Sequence, residues 1–227
     1  DLDRPFGATW DDQRHVWMYP AYYPAARKVI ADFDVLAMRL KIEFSDTARQ
    51  YIQELDETER QYRARELPAA FDFVTNPYAH QIESLCHVFY YLRSALFLDP
   101  GLGKSKIAID LLRLLHFLGE RSPAVILGPL VTVKNWGKEI DKHSAKQLRW
   151  AALLGTKKEK NAAIDLAASG QVDVLLLTYD TARNFVDAIV NNVAYATVIA
   201  DESHLIAKWK SERTKAAHEL GQKATRK

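Results

Sequence analysis

A chain of 227 residues with 48% hydrophobic and 26% charged side chains can build one sizeable domain, or a core domain with a small companion, and is not the composition of a disordered segment. No apolar run approaches the ~18 residues a membrane helix needs, the acidic start DLDRPFGATW lacks the layout of a signal peptide, and a single cysteine, Cys86, excludes an internal disulfide. The net charge of +2 is uneven: residues 1–68 carry ten basic and thirteen acidic groups, which leaves the remainder at +5, compatible with a polyanionic partner without requiring one.

The opening stretch FGATWDDQRHVWMYP (residues 6–20) has apolar residues on either side of Asp11-Asp12 and predicts a hairpin. AARKVIADF (25–33) reads as a short helix. FSDTARQYIQELDETERQYRARE (44–66) reads as a longer one, with Ser45 or Asp46 as cap and Ala48, Tyr51, Ile52 and Leu55 on one face. Pro68 and the turn Thr75-Asn76-Pro77 close this unit, so we expect a small α+β domain over 1–70 and a second domain over 71–227.

From there strands and helices alternate. A helix is expected from Tyr78 to Tyr91, a short strand SALFL at 94–98, and an amphipathic helix SKIAIDLLRLLHFLG ending at Gly119. AVILG (124–128), LRWAALL (148–154), DVLLLTY (173–179) and TVIADE (197–202) read as buried strands, with helical stretches between them. Near-continuous Val/Ile/Leu strands separated by helices predict an α/β fold with a mostly parallel sheet covered on both faces. In such sheets ligands bind beyond the carboxyl ends of the strands. The tail KSERTKAAHELGQKATRK is expected to be a helix with Ala216, Ala217 and Leu220 inward.

Two motifs carry chemistry. LFLDPGLGKSKIAI (96–109) sits after a strand and before a helix, where a phosphate loop belongs. Gly101, Leu102 and Gly103 would wrap backbone N–H groups around phosphates, Lys104 would reach the terminal phosphates, and Ser105 would bind Mg²⁺. The first glycine of the usual pattern is replaced by Leu98, and a glycine turn before a Ser105-capped helix is the plainer alternative. TVIADESH (197–204) delivers Asp201 and Glu202 at a strand's carboxyl end, Asp201 as metal ligand and Glu202 as acceptor of a proton from an attacking water. A pair of solvated acids is the alternative there, and two motifs at matching strand ends argue against it.

The order PYAHQ, DPGLGKS, DESH resembles the first RecA-like lobe of superfamily-two helicases and is most similar to Swi/Snf-type translocases, including bacterial and phage members. The resemblance covers about residues 77–227. It implies a RecA-like P-loop fold, adenine recognition by Gln81, and a D-E-A-H-type box with Ser203 for alanine, in which His204 couples the ATP site to neighbouring motifs. GPLVTVKNWGKEI (128–140) is similar to a P-x-S-L-x-x-N-W-x-x-E segment and LLLTYDTARN (175–184) to an I-T-S-Y-E-x-L-R segment, both of which face the nucleic-acid backbone in relatives. Lys134, Asn135, Thr178 and Tyr179 are the candidates for that contact, while Trp136 reads more readily as core. HLIAKWKSERTKAA resembles the continuation after the box, keeping Ile206, Ser211, Arg213, Thr214, Lys215 and Ala216 and departing at Leu205, Ala207 and Lys208.

The resemblance further implies ATP and Mg²⁺ as cofactors, duplex or forked DNA as partner, and DNA-dependent ATPase activity. It places the protein in the cytoplasm of a bacterial or phage-infected cell, or in the nucleus if eukaryotic. It also implies a second RecA-like lobe with arginine fingers, worth ~10³-fold or more in rate. These 227 residues stop before the third motif, so we expect the N-terminal part of a longer motor, poorly active alone. The stretch around Trp10, Trp17 and Tyr19 resembles the small HARP-like modules that precede some fork-remodelling translocases; a compact aromatic core is the alternative. A nucleotide-gated scaffold module and an RNA helicase remain the other functional readings.

Overall fold

The hairpin expected at the start is present as two short antiparallel strands, β1 (Thr9–Asp11) and β2 (Val16–Met18), with Trp10 opposite Trp17 in the ladder. The structure is a computed structural model that describes residues 67–227, these two strands and five helical residues between 50 and 60. Those five (Gln50, Gln53, Glu54, Glu57 and Arg60) lie in the stretch expected to be the longer helix. The expected helix at 25–33, Tyr19, and the apolar face at Ala48, Tyr51, Ile52 and Leu55 lie outside the described residues. The chain divides into two compact units, Asp1–Ala64 and Arg65–Lys227.

In the larger unit the chain runs α1 (Ala79–Tyr90), α2 (Lys104–Phe117), β3 (Ala124–Gly128), α3 (Leu130–Ser144), β4 (Trp150–Ala152), α4 (Lys157–Ala168), β5 (Val174–Thr178), α5 (Tyr179–Asn192), β6 (Thr197–Ala200), a 3₁₀ turn (Ser203–Ile206) and α6 (Glu212–Lys223). The four strands β3 to β6 form a parallel sheet in the order β4-β5-β3-β6. Strand residues alternate between two cores, as a period of two requires. Ala124, Ile126, Val174 and Leu176 join Leu85, Ile107, Leu111, Trp136 and Ile140 from α1, α2 and α3. Val125, Leu127, Leu175 and Leu177 join Ile164, Ala182, Ile189, Ala217 and Leu220 from α4, α5 and α6. All five residues of β3 are buried, so each face of the strand has found a helix layer.

One expectation is corrected. The segment SALFL at 94–98 is not a strand. Lys227 bridges it, donating its N–H to the Leu92 carbonyl (2.7 Å) and accepting from the Ser94 N–H (3.0 Å), but beyond Ser94 the segment has no ladder partner among the described residues. Leu96 and Leu98 still turn into the core while Phe97, between them, is 95% exposed. The helix expected over 105–119 is present as α2, and its polar residues are covered as well. Lys106, Asp110 and Arg113 recur at helical spacing, yet all three are buried. The stretch ahead of α1 covers them: the Arg113 guanidinium lies 5.3 Å from the Phe71 ring centre and donates to the Asp72 carbonyl (2.9 Å), and the Lys106 ammonium lies 5.4 Å from the Phe73 ring. Lys106 and Asp110 form an ion pair, and burial pushes the Asp110 carboxyl up against the pull of Lys106. Asp110 Oδ1 and Arg113 Nη1 make no hydrogen bond.

At the amino ends of the neighbouring strands, Asp173 precedes β5 and Arg149 precedes β4. The Arg149 guanidinium grips both Asp173 oxygens (3.0 and 2.9 Å) and its backbone N–H donates to Oδ2 (2.8 Å). Burial alone would raise this carboxyl, but the Arg149 hydrogen bonds outweigh it and hold the group below its ordinary value. No helix among the described residues is long and apolar enough to cross a membrane.

Two stability experiments follow. Asp110→Ala leaves two buried cations without their carboxylate, and should lower the unfolding free energy by about 3–5 kcal/mol in urea titration. Asp173→Asn should cost about 1.5–3 kcal/mol at neutral pH, the worth of hydrogen bonds to a charged group. Because the folded carboxyl titrates below its unfolded value, that contribution is present above the ordinary carboxylate pKa of about 3.9. It is lost as the pH falls through the folded value, so wild-type and variant curves should converge in acid.

Candidate nucleotide and nucleic-acid site

The loop between Leu98 and α2 is shaped by two glycines with positive φ, Gly101 (+87°) and Gly103 (+82°). Gly103 caps α2 in a left-handed conformation that favours glycine, and a Cβ there would lie 2.3 Å from the Gln81 amide nitrogen, so the Gln81 side chain would have to shift. Gln81, buried at the start of α1, accepts a hydrogen bond from the Tyr78 N–H (3.1 Å) and donates to the Leu102 carbonyl (3.1 Å). His80 Nε2 lies 3.1 Å from the same carbonyl. The residue read as the adenine contact therefore also holds the apex of the loop.

Lys104 turns back on the loop, donating to the carbonyls of Leu98 (2.7 Å) and Asp99 (3.3 Å). Both partners are neutral, and among the described residues its charge has no ion-pair partner. No acidic side chain stands in the first turn of α2, which leaves the positive end of the helix unneutralised as well. Ser105 is half-buried in that turn.

The acidic residues are fixed from both faces of the sheet. Asp201 follows β6 and extends its ladder, donating its N–H to the Leu127 carbonyl (2.8 Å). Its Oδ2 accepts from the Trp136 indole N–H of α3 (3.0 Å), and its carbonyl accepts from the Tyr179 hydroxyl of α5 (2.7 Å). Burial, with the charges of Asp201 and Glu202, pushes the Tyr179 phenol well above its usual range, so it remains a donor. Gly128 lies beneath: a Cβ on it would stand 3.5 Å from Asp201 Cβ and 2.6 Å from Thr132 Oγ1. Glu202 is left-handed at φ +53°, a conformation that costs a non-glycine residue about 1–2 kcal/mol. Its exposed carboxylate lies 3.3 Å from Nδ1 of His204.

Loop and acids share one edge of the sheet by topology. The bridge between Arg226 and Thr197 is parallel, and the segment at 92–94 hydrogen-bonds to Lys227 in the parallel pattern. Residues 94–98 thus run in the same direction as β6, and both deliver their carboxyl ends to the same side. No hydrogen bond or ion pair joins Lys104 or Ser105 to Asp201 or Glu202 among the described residues. The donor set suits a polyphosphate with a hard cation: an ammonium with no ion-pair partner among the described residues and a helix N-terminus for the anion, a hydroxyl and a carboxylate for the metal. Among the described residues no group of three or more His, Cys, Asp or Glu could hold a metal, so Mg²⁺ would have to complete its shell from phosphate and water.

A cleft of about 410 Å³ opens beside this edge, lined by Gly128, Gly155, Lys160, Thr178, Asp180 and Arg213 among others. Of the residues expected to meet nucleic acid, Lys134 and Asn135 are exposed on α3. Thr178 caps α5 by accepting from the Thr181 N–H (3.0 Å). Tyr179 is 3% exposed, with its hydroxyl given to Asp201. Sequence reasoning missed the bidentate bond from Arg213 to Asp180 (2.6 and 2.8 Å), although both residues stood in the segments it singled out. It also missed Lys160, which no motif marks.

Comparison with known proteins places this arrangement. The chain is 31% identical over 115 residues to the transcription regulatory protein SNF2 of Saccharomyces cerevisiae, covering 50% of this chain and 7% of that protein. It is 27% identical over 159 residues to the putative protein p41 of Acyrthosiphon pisum secondary endosymbiont phage 1, covering 67% of this chain and 34% of that one. The chain thus spans about a third or less of the length of the curated relatives it matches. The Sulfolobus solfataricus SWI2/SNF2 ATPase core in complex with dsDNA superposes with a TM-score of 0.56 at 21% identity, over 68% of this chain and 32% of that one, a likeness of fold. The model of the SNF2-related domain matches residues 80–225, well over half of the chain, with both the glycine loop and the acidic strand end inside it: this chain belongs to the SNF2-related domain family.

Proposed function

We propose that this lobe binds ATP with Mg²⁺ and that, in the longer protein, its hydrolysis drives movement on DNA or its remodelling. The observation that carries this reading is a cation without an anionic partner among the described residues, Lys104, on the same sheet edge as an acid, Asp201, that two opposed helices hold in place. Membership of the family supports ATP as the nucleotide. The relative bound to double-stranded DNA supports DNA as the partner.

Each residue has a part in this scheme. Gly101, Leu102 and Gly103 wrap the phosphates, and Gln81 positions the loop from behind while reading the adenine. Lys104 exchanges its two carbonyls for the terminal phosphates. Ser105 and Asp201 would hold Mg²⁺, which when bound would neutralise phosphate charge during transfer, and the Trp136 N–H keeps the carboxylate oriented. Glu202 takes the proton of the attacking water, and its pairing with His204 ties that step to the neighbouring segment. Tyr179 acts through Asp201, so we assign it positioning beside its place in the cleft. Lys134, Asn135 and Thr178 face the nucleic-acid backbone, and the HARP-like unit over 1–70 serves as an accessory DNA-facing module.

The test is ATPase activity of the full-length protein with duplex DNA, forked DNA, single-stranded DNA and RNA. Stimulation by DNA is expected. Lys104→Ala and Glu202→Gln should each lower stimulated turnover by about 100-fold or more, with ATP binding retained in Glu202→Gln. Unchanged turnover in Glu202→Gln would remove its role as base, and stimulation by RNA alone would move the protein to the RNA-unwinding reading.

A further inference from the structure

One exposed feature is used by none of the chemistry above. Between the 3₁₀ turn and α6 the chain reads Lys208-Trp209-Lys210, and Trp209 is 70% exposed. Single exposed apolar residues are common, so exposure by itself carries little. Three further observations do. The loop is braced on both sides: Ser211 donates its N–H to the Lys208 carbonyl (2.9 Å) and caps α6 by accepting from the Thr214 N–H (3.2 Å), while the Thr214 hydroxyl donates to the Ile206 carbonyl (2.9 Å). The indole is buttressed by His218 of α6 at 5.3 Å and 73°, an edge-on contact that leaves most of the ring open. Finally, Leu205 before the loop and Arg213 after it both line the cleft, so the loop joins two residues of the cleft wall.

Charge selects the partner. Lys208 and Lys210 are exposed and form no ion pair among the described residues, and the nearby Glu212 is taken by Lys215 (2.7 Å). A protein interface is depleted of lysine. An open aromatic face between two free ammonium groups instead matches a nucleotide, with phosphates for the lysines and a base for the ring. Within a duplex the base faces are covered by their neighbours, so a ring can stack only where pairing is interrupted. We infer that the Lys208–Trp209–Lys210 loop, which connects two residues of the cleft wall, binds an unpaired nucleotide, which makes a single-strand/duplex junction the preferred DNA. This rests on the DNA reading of the lobe.

The test is fluorescence anisotropy of the full-length protein with labelled single-stranded, forked and blunt duplex DNA. Trp209→Ala should weaken binding about five- to a hundredfold on single-stranded and forked DNA and less than about twofold on the blunt duplex, with Trp209→Phe recovering most of the loss. Replacing both lysines by alanine should reduce the salt slope on single strands by about 1.4. Thermal melting at the wild-type temperature confirms that the variants fold, and the Trp209→Phe rescue would separate stacking from folding if it shifted. Equal binding of wild type and Trp209→Ala to every DNA overturns the inference and leaves the DNA reading intact. So does a uniform loss on all three, or a change in sedimentation of the protein with no change in DNA binding. Failure of the wild type to bind any of the DNAs removes both.

Discussion

The parallel register of β5, β3 and β6 is the constraint on which the rest depends. With Gly128 opposite Thr178 and Leu127 opposite Ala200, three strands end level, and the residues that follow them emerge together at one edge. A slip of one residue would turn every side chain of a strand to the other face. Both cores would then break, because Val125 and Leu127 belong to one and Ala124 and Ile126 to the other. The hydrophobic alternation therefore fixes the geometry of Asp201 and Thr178 as surely as any polar contact does.

What could be read directly was what depends on local chemistry. AVILG, DVLLLTY and TVIADE announce buried strands through unbroken apolar runs, and Gly101 and Gly103 announce a turn that only glycine tolerates. α6 buries Ala216, Ala217 and Leu220 as its pattern required. The failures share one cause, a partner distant in sequence. SALFL has strand composition, but a strand exists only where another pairs with it along its length. Lys106, Asp110 and Arg113 share a face of α2, and the residues that close over it, Phe71 and Phe73, come from well before the helix. Spacing on a helix specifies which residues share a face and is silent on what covers that face.

The site shows the same division. The chemistry-bearing residues of the loop and the acidic strand end were legible because their types and order are characteristic. Their supports were not. Trp136 reads as core, and it is buried, yet its one polar atom faces Asp201 across a separation of 65 residues. Tyr179 reads as a surface contact, yet its ring is buried and its hydroxyl points inward. His80 and Gln81 meet Leu102 across about twenty residues.

The double hold on Asp201 has a mechanical meaning. Trp136 belongs to α3 and Tyr179 opens α5, helices that lie in opposite layers of the sandwich. The carboxylate oxygen answers to one layer and the carbonyl of the same residue to the other. Asp201 therefore joins the two layers as well as standing as a ligand candidate, held by one hydrogen bond from each of two helices whose backbones do not bond to it.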